Sequence, residues 1–223
     1  MHARLISPPA NIPTSHNFVS LYPFSQKMFK NMILPIVAYG HPVLRVDCED
    51  ITKDYPGLET LIGDMWETLY NSNGVGLAAP QVNKPIRLFV VDTFQIVENF
   101  DEEDKRLYPN EKPIKQVFIN AHRITSNGEM WAYNEGCLSI PKIREDVLRP
   151  EQIRLRYLDE NFQEKEEEFY GVTARVIMHE YDHIDGKLFI DYLPPLKKRL
   201  IKKKLSDISK GKVKVDYRML LPK

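Results

Sequence analysis

His179-Glu180-Tyr181-Asp182-His183 spells His-Glu-x-x-His, and this stretch decides how the rest of the chain is read. Two histidines four residues apart lie one above the other on the same helical face, close enough to share one metal ion. Glu180 between them can reach a water bound to such an ion and take its proton. Helix signals surround the motif: Thr173 as N-cap, Val176, Ile177 and Ile184 at apolar spacing, and Gly186 where a C-terminal cap belongs. With six histidines in 223 residues, chance yields this pattern in on the order of one chain in a hundred. A solvated helix with two surface histidines is therefore the weaker reading.

A site of this kind needs a third ligand, and the sequence after His183 does not supply it. No glutamate and no histidine follows, which removes the downstream glutamate of a thermolysin-like peptidase. A metzincin continues His-x-x-Gly-x-x-His; here Gly186 is present but Phe189 stands in place of the histidine. The third ligand must come from upstream, and Cys137 in Glu135-Gly136-Cys137-Leu138-Ser139 is the best candidate. A thiolate is a strong ligand for iron or zinc, and Gly136 lets the backbone approach metal and substrate. The competing fate of a free cysteine is a small buried hydrophobe. Cys48, the other cysteine, lies in the charged stretch Asp47 to Asp50 and is taken as structural. Two cysteines in a chain of this length match a reducing compartment and not a disulfide scaffold.

A third segment, Gly74-Val75-Gly76-Leu77-Ala78-Ala79-Pro80-Gln81, follows an amphipathic helix with Leu58, Leu61, Ile62, Met65, Trp66 and Leu69 on one stripe, ending near Asn73-Gly74. No Lys-Ser or Lys-Thr follows its Gly-x-Gly, so a nucleotide loop is disfavoured. Gly74 and Gly76 can offer backbone groups to an extended peptide, and Gln81 can donate to a developing oxyanion. An ordinary turn leading into a strand at Ile86–Asp92 explains this segment equally well when it is taken alone.

In order, these three segments resemble the motifs of the peptide deformylase family, Gly-x-Gly-Leu-Ala-Ala-x-Gln, Glu-Gly-Cys-Leu-Ser and His-Glu-x-x-His. The resemblance runs from about Met32 to about Leu193. It implies a metal held by Cys137, His179 and His183, with Glu180 as catalytic acid/base, and an oxyanion stabilised by the Gln81 side chain and the Leu138 N–H. It also implies a substrate groove lined by Val75, Gly76 and Gly136, with Arg144 contacting substrate. The substrate would be the N-formylmethionyl end of a nascent peptide, the products formate and a free N-terminus. The implied ion is one divalent cation, ferrous iron, with zinc or nickel as replacements. Two departures stand out: Met178 where many members carry glutamine, and a longer Thr93 to Lys115 connection with the acidic run Asp101-Glu102-Glu103-Asp104.

The chemistry of the residues agrees. Three protein ligands leave one coordination position open, the mark of a catalytic site and not of a structural one. A bound water would titrate near neutrality, within reach of Glu180 as base. A metallopeptidase or amidase of another specificity could use the same ligands. A non-catalytic domain with a structural metal fits less well, because a closed site needs no general base.

Lys plus Arg and Asp plus Glu both number 31, so no whole-chain charge argues for nucleic acid or a membrane surface. No apolar run approaches a membrane span, and a cytoplasmic enzyme is expected. Strand signals at Ile86–Asp92, at Val117–Ala121 and in a hairpin of Gln152–Leu158 with Phe162–Tyr170 precede the metal helix. The expected class is α+β, antiparallel or mixed strands packed around a central metal-binding helix. The organisation expected is a leader at 1–31, a catalytic metallohydrolase domain at 32–195, and a basic helix and tail at 196–223. Met1–Asn31 lacks the apolar core of a secretory signal and reads more as an upstream or vector-derived start than as a targeting segment. In the last segment Leu196, Leu200, Leu205 and Ile208 are expected on one stripe, with a lysine-rich polar face. That face is either simply solvated or a weak, salt-sensitive docking surface for ribosomal RNA.

Overall fold

The computed structural model describes residues 31–109 and 111–223, so the expected leader lies outside it except for Asn31. In chain order the elements are β1 (Ile36–Val37), α1 (Leu58–Asn71), β2 (Gly76–Ala78), β3 (Leu88–Asp92), α2 (Phe94–Val97), α3 (Glu102–Leu107), β4 (Lys115–Cys137), β5 (Ile140–Leu158), β6 (Glu164–Tyr170), α4 (Gly171–Ile184), α5 (Pro195–Ser209) and β7 (Met219–Leu220). Five strands form one antiparallel sheet in the order β2-β3-β4-β5-β6. β1 and β7, from opposite ends of the described chain, form a separate parallel pair. The α+β class and the central motif helix are as expected.

Side-chain alternation places a helix on each face of this sheet. Phe89, Val91, Phe118, Ile153, Leu155 and Tyr157 share a core with Ala174, Ile177, Met178 and Ile184 of α4. Leu88, Val90, Val117 and Ile119 pack with Leu58, Leu61, Met65 and Leu69 of α1. Period-two strands buried on both sides produce exactly such a split between odd and even positions. A third core joins Ile140, Ile143 and Val147 to Leu44, Phe189 and the α5 residues Ile201, Leu205 and Ile208.

β4 and β5 form one long hairpin that reaches from the sheet to the metal motif. Its register slips at four places, between Ile119/His122, Arg123/Thr125, Asn127/Met130 and Gly136/Cys137, and such bulges bend a ribbon. Asn120 anchors the first of them. It adopts φ 50°, and its side-chain amide bonds both the N–H and the carbonyl of Ile51 at 2.8 Å. The sequence predicts only Val117–Ala121 here; residues beyond it are largely exposed and carry no one-sided alternation to reveal them. The β5–β6 pairing runs from Gln152↔Tyr170 to Leu158↔Glu164, with Phe162 at φ 61° inside the turn.

Two local expectations are corrected. Thr173 is not the N-cap of α4: the helix begins at Gly171, and the Glu111 carboxylate accepts from the Val172 and Thr173 N–H groups at 2.8 Å each. A carboxylate there satisfies orphan donors and complements the helix dipole, and it comes from the long Thr93 to Lys115 connection. α1 ends at Asn71, close to the expected Asn73-Gly74, and Asn73 takes the left-handed conformation (φ 51°). On α5 the inward stripe is Ile201, Leu205 and Ile208, whereas Leu196 and Leu200 are 68% and 71% exposed. Ile201 sets the buried face, which turns Leu200 about 100° away from it. No helix among the described residues is long and apolar enough to cross a membrane.

Candidate metal centre

Two elements meet to build the site, the tip of the β4–β5 hairpin and the middle of α4. Cys137 closes β4 and pairs with Ile140, so Leu138 and Ser139 form the two-residue turn between the strands. His179 and His183 lie on successive turns of α4, a helix buried from Val172 to Ile184. One ligand atom from each of Cys137, His179 and His183 lies within 4.8 Å of the other two. Cys137 Sγ sits 3.2 Å from His183 Nε2. No other such trio of His, Cys, Asp or Glu occurs among the described residues.

A buried ionic network stands behind the ligands. His179 Nδ1 lies 2.9 Å from Glu135 Oε2, which leaves Nε2 to face the sulfur. Arg149 donates to both Glu135 oxygens (2.7 and 3.0 Å) and to Asp182 (2.6 Å), and Tyr192 donates to the other Asp182 oxygen at 2.9 Å. Arg175, 2% exposed, donates to Glu135 and to the Val147 carbonyl at 3.1 Å and to the Trp131 carbonyl at 2.9 Å. It thereby ties α4 to both strands of the hairpin. Burial alone would raise the Glu135 carboxyl, but the His179 hydrogen bond and the Arg149 guanidinium outweigh it and hold Glu135 well below the usual carboxylate range. Burial holds His183 well below its usual value, with His179 adding to the effect, which favours the neutral imidazole that a ligand must be. Glu135 and Asp182 stand inside the two quoted motifs, yet nothing in their spacing marks them or Arg149, Arg175 and Tyr192 as members of this network.

Gln81 reaches the sulfur from the side of β2. It sits in a 3-10 turn, Ala79–Val82, where its Oε1 accepts from Ala78 N–H at 2.8 Å. That bond turns its Nε2 toward Cys137 Sγ (3.5 Å) and Ser139 Oγ (3.4 Å). The Glu180 carboxylate stands over Gly76 of β2: a side chain at Gly76 would place its Cβ 2.5 Å from Glu180 Oε1, so only glycine leaves room for this carboxylate. Burial pushes the Glu180 carboxyl up to about 7, against the lowering influence of His179. Val75 precedes Gly76 and accepts from Asp92 N–H at 2.9 Å. Gly136 pairs with Arg144 across the hairpin, and a Cβ on Gly136 would meet Arg144 Nη1 at 2.8 Å. The Arg144 guanidinium bonds the Asn134 side chain and carbonyl at 2.9 and 2.7 Å. Met178 is buried in the core under α4.

The donor set suits a divalent transition metal. A thiol and two imidazoles are the ligands that iron and zinc accept, and Glu180 Oε2 is buried with no hydrogen-bond partner among the described residues. A buried carboxylate oxygen without a hydrogen-bond partner is costly and calls for a functional account.

The family model of polypeptide deformylase matches residues 33–199. A peptide deformylase of Christiangramia forsetii is 54% identical over 193 residues, covering 86% of this chain and 97% of its own. The crystal structure of a peptide deformylase from Legionella pneumophila superposes with a TM-score of 0.67 at 33% identity, over 81% of this chain and 97% of that one. A Met-Ala-Ser-bound peptide deformylase from Acinetobacter baumannii gives a TM-score of 0.64 at 29% identity, over 73% and 99%.

Proposed function

The chain belongs to the polypeptide deformylase family, the metal-dependent hydrolases that remove the N-formyl group from nascent peptides, and from that premise we propose the part each residue plays. Cys137, His179 and His183 hold one divalent ion, ferrous iron in the cell, with zinc or nickel able to replace it. When bound, the ion supplies Lewis acidity for activating water and polarising the formyl carbonyl.

Glu180 takes a proton from the attacking water and returns it to the departing amine nitrogen, so that formate and a free N-terminus leave. Its elevated pKa of about 7 suits a group that must both accept and release a proton near neutrality. Gln81 Nε2–H and the Leu138 N–H donate to the carbonyl oxygen as charge develops there; one such donor is worth about 3–4 kcal/mol of barrier. Val75, Gly76 and Gly136 leave backbone edges open to an extended peptide, and Arg144 lies along that path. The Met-Ala-Ser tripeptide of the Acinetobacter relative has the chemistry of the product that such a groove would release.

The observation that carries this reading is the convergence of the Cys137, His179 and His183 ligand atoms within 4.8 Å of one another, with the Gln81 amide 3.5 Å from the sulfur. The test is formate release from a formyl-Met peptide by anaerobically purified protein, with metal content measured on the same sample. Metal-replete protein that releases no formate overturns it.

The substrate also motivates a place of work. We propose a cytoplasmic enzyme that docks weakly on ribosomal RNA through α5 and the turn after it, where Lys202, Lys204, Lys210 and Lys212 are exposed near the solvent-facing Leu196 and Leu200. Lysines contacting phosphates give salt-sensitive binding with little sequence preference.

A further inference from the structure

The turn that carries Cys137 and Leu138 is held by the last residues of the chain. After α5 the chain reverses at Gly211 (φ 68°), where a Cβ would lie 2.6 Å from Leu221. It then runs back so that β7 pairs with β1: Ile36 N–H donates to the Arg218 carbonyl at 2.9 Å and Ala38 N–H to the Leu220 carbonyl at 2.8 Å. Both members of this pair grip the turn. Tyr217, two residues before β7, donates its hydroxyl to the Leu138 carbonyl at 2.8 Å. Tyr39, two residues after β1, donates its N–H to the Ser139 carbonyl at 2.9 Å. Val213, Met219 and Leu220 pack with Cys137 against the core that holds Ile140 and Ile143.

Those two carbonyls are the polar handles of a two-residue turn, and a tight turn rotates as a unit when its carbonyls are released. Leu138 N–H and the Cys137 side chain stand on the peptide next to the one that Tyr217 fixes. A hydroxyl that restrains the Leu138 carbonyl therefore restrains the direction of the Leu138 N–H and the sulfur.

We infer that Tyr217 is a positioning residue of the reaction centre, its hydroxyl fixing the Leu138 carbonyl so that the turn presents the Leu138 N–H and Cys137 Sγ in working register. The inference rests on the roles proposed above for that turn. It makes the C-terminal tail part of the working site, although 79 residues separate Tyr217 from Leu138 in the sequence.

The test uses the full chain and the variant Tyr217→Phe, which removes one oxygen. Tyr157→Phe, which removes a hydroxyl bonded to Glu167 far along β5, is the comparison. Three readouts are taken: hydrogen exchange of the amides at 138–140, the thiolate-to-metal absorption band of Co²⁺-loaded protein, and kcat and KM on a formyl-Met peptide. A single neutral hydrogen bond sets equilibria by roughly two- to tenfold. Tyr217→Phe should therefore speed exchange at the turn by about that factor and shift the cobalt band. It should lower kcat about three- to tenfold with KM within twofold, while Tyr157→Phe moves none of the three. Unchanged turn exchange together with an unchanged band in Tyr217→Phe overturns the inference, and so does an equal change in Tyr157→Phe. Exchange and cobalt absorption need no turnover. A wild-type protein inactive on formyl peptides would therefore overturn the proposed function while these two readouts still decide the role of Tyr217.

Discussion

Glu135 Oε2 lies 2.9 Å from His179 Nδ1, and this contact joins the two motifs into one site: Glu135 stands two residues before Cys137, His179 one residue before Glu180. The carboxylate holds Nδ1 and so leaves Nε2 as the ring nitrogen that would face the proposed metal. Glu135→Gln should keep the fold but weaken metal binding about 10–100-fold, the usual effect of removing a carboxylate behind a ligating histidine. Competition against a chelator measures it, and an unaltered dissociation constant would mean that helix packing alone orients the ring.

The fit of Glu180 against Gly76 gives a paired expectation. Glu180→Gln should retain metal and lose about 10²–10⁴-fold in kcat, the range for removal of a general base. Gly76→Ala should act on the same step from across the groove, because its Cβ would stand 2.5 Å from Glu180 Oε1 and push the carboxylate aside. Metal content and kcat are read together. A Gly76→Ala protein with wild-type kcat would show that the carboxylate does not work from this position.

The legible part of the molecule is the part where chemistry demands fixed residue types at fixed spacing. His179, Glu180, His183, Cys137 and Gln81 announce themselves, α1 and the β5–β6 hairpin announce themselves by periodicity, and β3 by its continuous apolar run. Arg149 and Arg175 do not. A buried arginine differs from a surface one only in partners distant along the chain, and Arg175 finds its own at Trp131, Glu135 and Val147, 44, 40 and 28 residues away. The outer half of β4 is hidden for another reason: its residues are largely exposed, so no apolar alternation marks it. Thr173 carries the sequence signal of a local cap, but the cap is Glu111, which reaches in from a distant loop.

Gln81 offers a test of oxyanion stabilisation apart from metal binding. Its Oε1 is held by the Ala78 N–H at 2.8 Å, the shortest of its hydrogen bonds, while its Nε2 meets Cys137 Sγ only at 3.5 Å. Gln81→Ala should therefore leave metal content intact while kcat falls about 10²–10³-fold. Gln81→Glu keeps the shape but replaces a donor with a negative charge, and it should be at least as impaired. Steady-state kinetics with metal analysis decides; loss of metal in Gln81→Ala would make the residue structural instead.

Thiol chemistry separates the two cysteines. Burial pushes the Cys48 thiol up to about 11, only partly offset by Arg87, so at pH 8 about one molecule in a thousand carries that thiolate. Native metal-free protein should take up one equivalent of iodoacetamide, at Cys137. Metal-loaded protein should take up almost none, since the sulfur is then engaged. Mass spectrometry of the alkylated peptides reads both. Labelling of Cys48 in native protein, or no protection of Cys137 by metal, contradicts the assignment.

The face of α5 makes the last prediction. Lys197 is paired with Glu145 at 2.8 Å and Lys203 with Asp207 at 2.9 Å, and Lys198 Nζ bonds the Asp191 carbonyl at 2.8 Å, so these three are partly committed within the protein. Lys202 and Lys204 are exposed, as are Lys210, Lys212 and Lys214 in and after the turn, and these carry the expectation. Changing Lys202, Lys204, Lys210 and Lys212 to Glu should abolish co-sedimentation with ribosomes at low salt and leave deformylation of a short formyl peptide unchanged. Wild-type binding should itself fall steeply between about 50 and 200 mM salt, as counterion release requires when several lysines meet phosphates. Leu196→Ser with Leu200→Ser tests whether the exposed leucines add an apolar contact; it should weaken binding without changing the salt slope. If the glutamate variant and the wild type sediment equally, or binding is indifferent to salt, the lysines are only the solvated side of a helix whose Ile201, Leu205 and Ile208 are packed in the core.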